Sequence, residues 1–191
     1  MKNHISLSLL GFLFFYLLAC ESEEEPVSPD CNNSQLFIQV TSFKTTPCDK
    51  EEGVIELTAS GGSGVLEYSL DGINFSTQTL YEDLPSGRFQ PIVRDENNCF
   101  AATRITLSSG VSFSNDIEEL ITATCAVSSC HVTGEQAPDF SLRANIFSAA
   151  PRIRTQLQAN AMPPPNSGQE GLSQEETRLV ICWINEGAED N

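Results

Sequence analysis

The sequence predicts two domains, an all-β sandwich followed by an all-α domain, behind an N-terminal export segment. Three observations predict it. Residues 36–107 run as short β-branched and aromatic stretches split by turn residues, residues from Val111 onward carry apolar side chains at helical spacing, and the texture changes at Ser109-Gly110. With residues 1–35 set aside, the remainder of the 191-residue chain is long enough for two small units.

Met1-Lys2-Asn3-His4 is a short basic region, and residues 5–19 are almost wholly apolar. That run is short for a bilayer span and reads as a secretory signal over residues 1–19. It stops at Leu17-Leu18-Ala19-Cys20, which resembles a bacterial lipobox. The resemblance implies lipidation of Cys20. Buried acyl methylenes at about 0.8 kcal/mol each would then anchor the chain to the outer membrane of the cell envelope. In an ordinary cleaved signal Cys20 would be incidental; the small residue before it favours lipidation. Residues 20–35 begin Cys20-Glu21-Ser22-Glu23-Glu24-Glu25 and contain Pro26 and Pro29, the composition of a solvated acidic tether. The acidic run also resembles the export signal that sends some Bacteroidetes-type lipoproteins to the outer face of that membrane.

In the first domain, residues 36–109, the expected strands are 36–41, 54–59, 65–69, 79–81, 88–94 and 102–107. Gly61-Gly62-Ser63-Gly64, Asp71-Gly72, Pro85-Ser86-Gly87 and Glu96-Asn97-Asn98 separate them. Short strands at this spacing predict an all-β immunoglobulin-like sandwich. Cys48 precedes the second strand and Cys99 the last, so a Cys48–Cys99 bridge would staple the sheets. Asp71, Asp83 and Asp95 match no compact calcium loop and read as turn formers. Gly61-Gly62-Ser63-Gly64, Tyr68-Ser69-Leu70-Asp71-Gly72, Asn74-Phe75, Leu84-Pro85-Ser86-Gly87 and Arg94-Asp95 with Cys99 together resemble the SprB-type repeat of gliding-motility adhesins. The resemblance covers about seventy residues and implies a spacer or docking module.

In the second domain, residues 110–191, Ser114 is the expected N-cap of a first helix. Ile117, Leu120 and Ile121 form its apolar stripe, and Asp116, Glu118 and Glu119 suit its N-terminus. Ser173 and Glu176 form a capping box for the last helix, whose stripe is Leu179, Val180, Trp183 and Ile184, with Gly187 as its stop. Trp183 reads as core. Loop and short helical material fill the space between.

The first helix delivers the most informative residues, Cys125, Cys130 and His131. Two cysteines ending in Cys-His are what covalent haem attachment requires: the thiols add across the porphyrin vinyls and the histidine becomes the axial ligand. Met162, in the stiff run Ala161-Met162-Pro163-Pro164-Pro165, supplies the opposite ligand. His/Met ligation favours the reduced state, as an electron carrier needs. The Cys-x4-Cys-His spacing is longer than the common Cys-x2-Cys-His. A disulfide loop beside a surface histidine, or a zinc site, are the other uses of these residues. Zinc needs four donors, and only Cys125, Cys130, His131 and the distant Cys182 are offered. Met162 alone would be a core gap-filler. Pro138 or a neighbour is placed to accept from the other nitrogen of His131. Arg152 and Arg154 would pair with haem propionates or be solvated.

The segment from Phe113-Ser114-Asn115-Asp116-Ile117 through the Cys-His site, Met162-Pro163-Pro164, Leu172-Ser173 with Glu176, and Trp183-Ile184 with Gly187-Ala188 resembles a small monohaem cytochrome c domain of the kind common in Bacteroidetes and Planctomycetes. The resemblance covers roughly eighty residues. It implies an all-α cytochrome c-like domain with one covalent haem c: Cys125 and Cys130 binding the porphyrin, His131 and Met162 binding the iron. Of seven cysteines, Cys31, Cys48, Cys99 and Cys182 are then left, an even number suited to two disulfides in an oxidising compartment. In a rival arrangement Cys182 closes a bridge with Cys125, and Cys130 alone holds the porphyrin.

The formal charge of −16 argues against nucleic acid and points to redox partners carrying a basic patch. The expected function is one-electron transfer by a lipid-anchored c-type cytochrome, a carrier and not an enzyme. The alternatives are a cell-surface adhesion or interaction lipoprotein with a non-redox cytochrome-like domain, and a peroxidase-like haem enzyme. Met162 argues against the last, which needs an open distal position.

Overall fold

The computed structural model describes residues 31–191. Cys20, the signal segment 1–19 and most of the tether 20–35 lie outside the described residues. Among the described residues no helix is long and apolar enough to cross a membrane.

The β part contains eight strands: β1 Phe37–Lys44, β2 Gly53–Ser60, β3 Glu67–Ser69, β4 Leu80–Leu84, β5 Gly87–Phe89, β6 Ile92–Arg94, β7 Phe100–Ala102 and β8 Ile105–Leu107. They form three small antiparallel sheets ordered β1-β2-β4, β3-β6-β7 and β5-β8. Apolar residues of all three meet in one core: Ile38, Ile55 and Leu57 from the first, Tyr68 and Val93 from the second, Leu107 from the third. The immunoglobulin-like sandwich of two continuous sheets is therefore not what forms.

The reason is visible at Pro91. The expected strands 88–94 and 102–107 are each cut in two, yet the register continues across the cut. Phe89 faces Ile105 and Ile92 faces Ala102, and between them Thr103 N donates to Pro91 O at 3.0 Å. Pro91 has no N–H to return to the ladder, so one hairpin is divided between two sheets. Its turn is organised by buried Asp95, whose carboxylate accepts from Asn97 N and Cys99 N at 2.9 Å and from Ser63 N at 3.0 Å. Asp71 also acts as a turn former. It accepts from Ile73 N and Asn74 N at 2.8 Å, which holds its carboxyl well below the usual range, the Asn74 amide first, then Ile73 and the Ser69 hydroxyl. Gly61 sits at φ +76°, where a Cβ would overlap the Gln35 carbonyl oxygen.

The disulfides are Cys31–Cys99 and Cys48–Cys182, with Cα separations of 5.4 and 5.9 Å. The expected Cys48–Cys99 staple and the rival Cys125–Cys182 bridge are both corrected. Cys48 follows the C-terminal end of β1. Cys99 lies at the other end of the β part, beside the Gly61–Gly64 turn. Eight extended residues separate those ends by roughly 23 Å, far beyond disulfide reach. Thr46, 2% exposed, folds the 45–52 loop by accepting from Glu52 N at 3.0 Å and donating to Lys50 O, and the loop carries Cys48 to the last helix.

The helices are α1 Glu118–Thr124, α2 Arg143–Gln158 and α3 Gln174–Asn185, with a π-helical turn Phe113–Ile117 leading into α1. Ser112, not Ser114, caps that turn. Helix α2 is longer than the sequence suggested and runs through Pro151. At α3 the capping box forms as expected, Glu176 N donating to Ser173 Oγ at 3.2 Å and Ser173 N to Glu176 Oε2 at 2.7 Å. The Ser173 hydroxyl is the first cause, and its backbone N–H the second, of a Glu176 carboxyl held below its ordinary value. Phe113, Phe147 and Trp183 pack at centroid distances of 4.6–5.8 Å, with Ile117, Ile121, Ile146 and Val180 around them.

This is not an all-α cytochrome c-like domain. Residues 125–142 and 159–173, which carry Cys125, Cys130, His131 and Met162, are irregular because turn and breaker residues dominate them: Ser128-Ser129, Gly134, Pro138, Pro163 to Pro165 and Gly168. Nor does the chain divide cleanly at Ser109-Gly110. Besides the Cys48–Cys182 bridge, Glu186 accepts from Ser109 N at 2.8 Å and Ser108 Oγ at 3.1 Å, and Arg88 pairs with Glu189. The two parts are locked together.

Peptide mapping of the non-reduced protein should yield Cys31 linked to Cys99 and Cys48 linked to Cys182. Recovery of a Cys48–Cys99 peptide would contradict the end-to-end separation of those residues.

Candidate functional site

Three irregular or helical pieces converge on a cavity of about 550 Å³, inside the 300–1,000 Å³ range of ligand sites. The first is the loop after α1. Cys125 N still bonds Ile121 O at 2.9 Å, making Cys125 the helix cap, and the chain then folds back so that His131 N donates to Cys125 O at 3.1 Å. Gln136 N to Cys130 O at 2.9 Å and Phe140 N to His131 O at 2.8 Å close two further turns. Ser129 takes φ +67°, the single left-handed residue of the extra loop between the cysteines. Asp139 accepts from Ser141 Oγ at 2.6 Å and from Thr133, and these two hydroxyls in that order hold its carboxyl below the ordinary value. The loop is cross-braced along its length.

The imidazole of His131 is fixed on two sides. Its Nδ1 lies 3.1 Å from Pro138 O, and its ring packs on Phe140 at 4.7 Å. A carbonyl only accepts, so Nδ1 is the donor and Nε2 keeps its lone pair for a metal or proton. The second piece is α2, which presents Ala149, Arg152, Ile153, Gln156 and Leu157 at i, i+3, i+4, i+7 and i+8. The third is the loop 159–173, which brings Met162, Pro163, Pro164 and Leu172 to the opposite wall.

All four haem-directed residues of the sequence reading, Cys125, Cys130, His131 and Met162, line this one cavity. Cys125 and Cys130 are both free thiols, since Cys182 is committed to Cys48. Zinc thereby loses its fourth donor, and among the described residues no three His, Cys, Asp or Glu side chains converge as a bare metal site. Arg152 lines the cavity and Arg154 does not. Met162 is 37% exposed, a partly open wall rather than a core residue. The sequence reading missed the α2 wall, giving this stretch as loop and short helical material; the apolar spacing from Ala149 to Leu157 is there, interrupted by a proline, Pro151, that the helix absorbs. It also missed Phe140 as the surface against which His131 rests.

Burial pushes the Cys125 thiol up to about 11, with the neighbouring Cys130 adding to the effect. The lining contains no carboxylate, although the chain has 26 acidic against 10 basic residues. The donor set, the apolar walls and the volume fit a covalently attached haem: two thiols, an imidazole with Nε2 free, and a thioether on another wall. No family model, curated protein or solved structure matches the chain, so these comparisons bear on neither the SprB-type nor the cytochrome resemblance.

A raised thiol pKa means that the reactive thiolate of Cys125 is populated only as the pH rises through about 11. Alkylation of the haem-free protein at pH 8 should therefore leave Cys125 largely unmodified, with labelling climbing steeply toward pH 11 when followed by peptide mass spectrometry. Rapid labelling of Cys125 at pH 8 would show that the thiol is not held as described.

Proposed function

We propose that the protein is an electron carrier in which Cys125 and Cys130 would hold one haem c covalently and His131 and Met162 would hold its iron. The observation that carries this reading is the convergence of those four side chains on one cavity, although Met162 is separated from His131 by the whole of α2. When bound, haem supplies a one-electron iron couple.

The residues of the chain divide the remaining work. Cys125 and Cys130 hold the group irreversibly, so an exported protein does not lose it by dilution. Pro138 O fixes the tautomer of His131, leaving Nε2 as the nitrogen that would meet the iron, and Phe140 holds the ring plane. Met162 is a soft thioether donor, and bound to haem iron it would favour the lower oxidation state and so raise the potential. Phe140, Ala149, Ile153, Leu157 and Leu172 line the cavity with apolar surface and limit water there. The acidic surface steers partners that carry a basic patch. Lipid attachment at Cys20 would keep such exchange at the outer membrane.

A second reading, a peroxidase-like haem enzyme, draws on the exposure of Met162, which makes it the ligand most easily displaced. Both readings meet in one experiment. After maturation with a haem-attachment system, acid–acetone extraction should leave haem on the polypeptide, and the tryptic peptide bearing Cys125 and Cys130 should carry the porphyrin mass. In the same preparation Met162→Ala should keep the attachment, lose the thioether-to-iron band at the red end of the spectrum and lower the potential. Unmodified cysteines would overturn the proposal. An unchanged spectrum and potential in Met162→Ala, together with peroxide turnover by the unaltered protein, would replace the carrier by the enzyme.

A further inference from the structure

Helix α2 carries three arginines whose surroundings differ. Arg143, in the first turn, pairs with Glu118 at 3.1 Å and Asp190 at 2.8 Å and lies over the Phe113 ring. Its charge is neutralised within the fold. Arg152 and Arg154 have no ion-pair partner among the described residues, and neither has Arg178 on α3. Of the chain's arginines only Arg152 lines the large cavity. Its neighbours on the same helical face are the apolar Ala149, Ile153 and Leu157 together with Gln156, and Arg152 itself is exposed, which suits a stem lying along the apolar part of the wall with the guanidinium at the solvent rim. Arg154, two residues on, is turned by about 200° around the helix and away from the cavity.

A single arginine at the rim of a carboxylate-free cavity whose walls combine apolar residues with uncharged serines and glutamines, in a chain of net charge −16, suits a ligand with an apolar body and an anionic edge. We propose that Arg152 is the carboxylate-anchoring residue of this cavity: its guanidinium takes a propionate of the bound porphyrin, orients the ring so that the propionate edge faces solvent, and turns the vinyl edge toward Cys125 and Cys130. The inference rests on the haem reading and adds to it the residue that decides which way round the porphyrin enters. A planar guanidinium forms two parallel bonds to a carboxylate, which fixes orientation as well as contributing attraction.

The test separates the anchor from the cavity. The full chain carrying Cys125→Ala and Cys130→Ala, which cannot form thioethers, is titrated in one micellar buffer with hemin and with hemin dimethyl ester, and the Soret band is followed. The ester has the same ring and iron but no carboxylates. Hemin should bind about three- to fivefold more tightly than the ester, as suits a pair at a solvent-exposed rim. Arg152→Gln should erase that preference by weakening hemin alone, Arg152→Lys should retain part of it, and Arg154→Gln should leave it intact. Equal binding of the two ligands, or a preference that survives Arg152→Gln, overturns the anchor while the haem reading stands. If neither ligand shifts the Soret band, the anchor is overturned, since Arg152 and the cavity then do not hold the porphyrin, while covalent loading of the unaltered chain decides the haem reading separately.

Discussion

Cys182 and Trp183 are consecutive on α3 and buried to 6% and 1% exposure, and consecutive helical residues point about 100° apart. Such a helix needs neighbours on two sides at once. Cys182 and Glu186, four apart on one face, meet the β part: Cys182 bonds Cys48 and lies 3.5 Å from Ser86 Oγ, while Glu186 accepts from Ser108 and Ser109. Trp183, with Val180, serves the other side, packing on Phe113 and Phe147, and its indole N–H finds Glu189 O at 2.9 Å. Every other helix is placed by that second side. The pairing of α2 with α3, and the aromatic cluster between them, fixes where α2 presents its cavity face.

The cavity is accordingly a product of assembly. The Cys-His loop hangs from the end of α1, the α2 wall stands where the Phe113–Phe147–Trp183 cluster puts it, and the proline run returns from α2 to α3. Each piece is held by a different force: backbone bonds and Asp139 in the first, apolar packing in the second, restricted proline backbone in the third. The β part is then no pendant spacer. Its loop 45–52 and the segment after β8 grip the helix from which the site is built, so the orientation of the cavity relative to the strands is set by a covalent bond and a buried carboxylate.

Chemistry-bearing residues were legible in the sequence because their requirements are local. Two thiols ending in Cys-His, a methionine among prolines, and Ser173 with Glu176 each stand out within a few positions, and the contact of His131 with the Pro138 carbonyl forms as the sequence reading expected. What was not legible depends on long-range geometry. Pairing of Cys48 with Cys182 follows from which end of β1 faces α3, and no spacing encodes that. Pro91 splitting a hairpin between two sheets, and Pro151 standing inside α2, are cases where one residue type breaks one ladder and is absorbed by another. The expectation of an all-α domain failed for a related reason: the residues that signal the ligands, prolines and small turn formers, are those that prevent helix.

The central claim is the proposal that His131 and Met162 would together hold the iron of one haem in this cavity. The proton NMR spectrum of the reduced, haem-loaded protein tests it directly, because a methionine methyl ligated to ferrous haem sits in the ring-current shadow of the macrocycle. The account predicts a three-proton singlet far upfield of the aliphatic envelope that disappears in Met162→Ala. Absence of that signal in the unaltered protein, or its persistence in the variant, would contradict it.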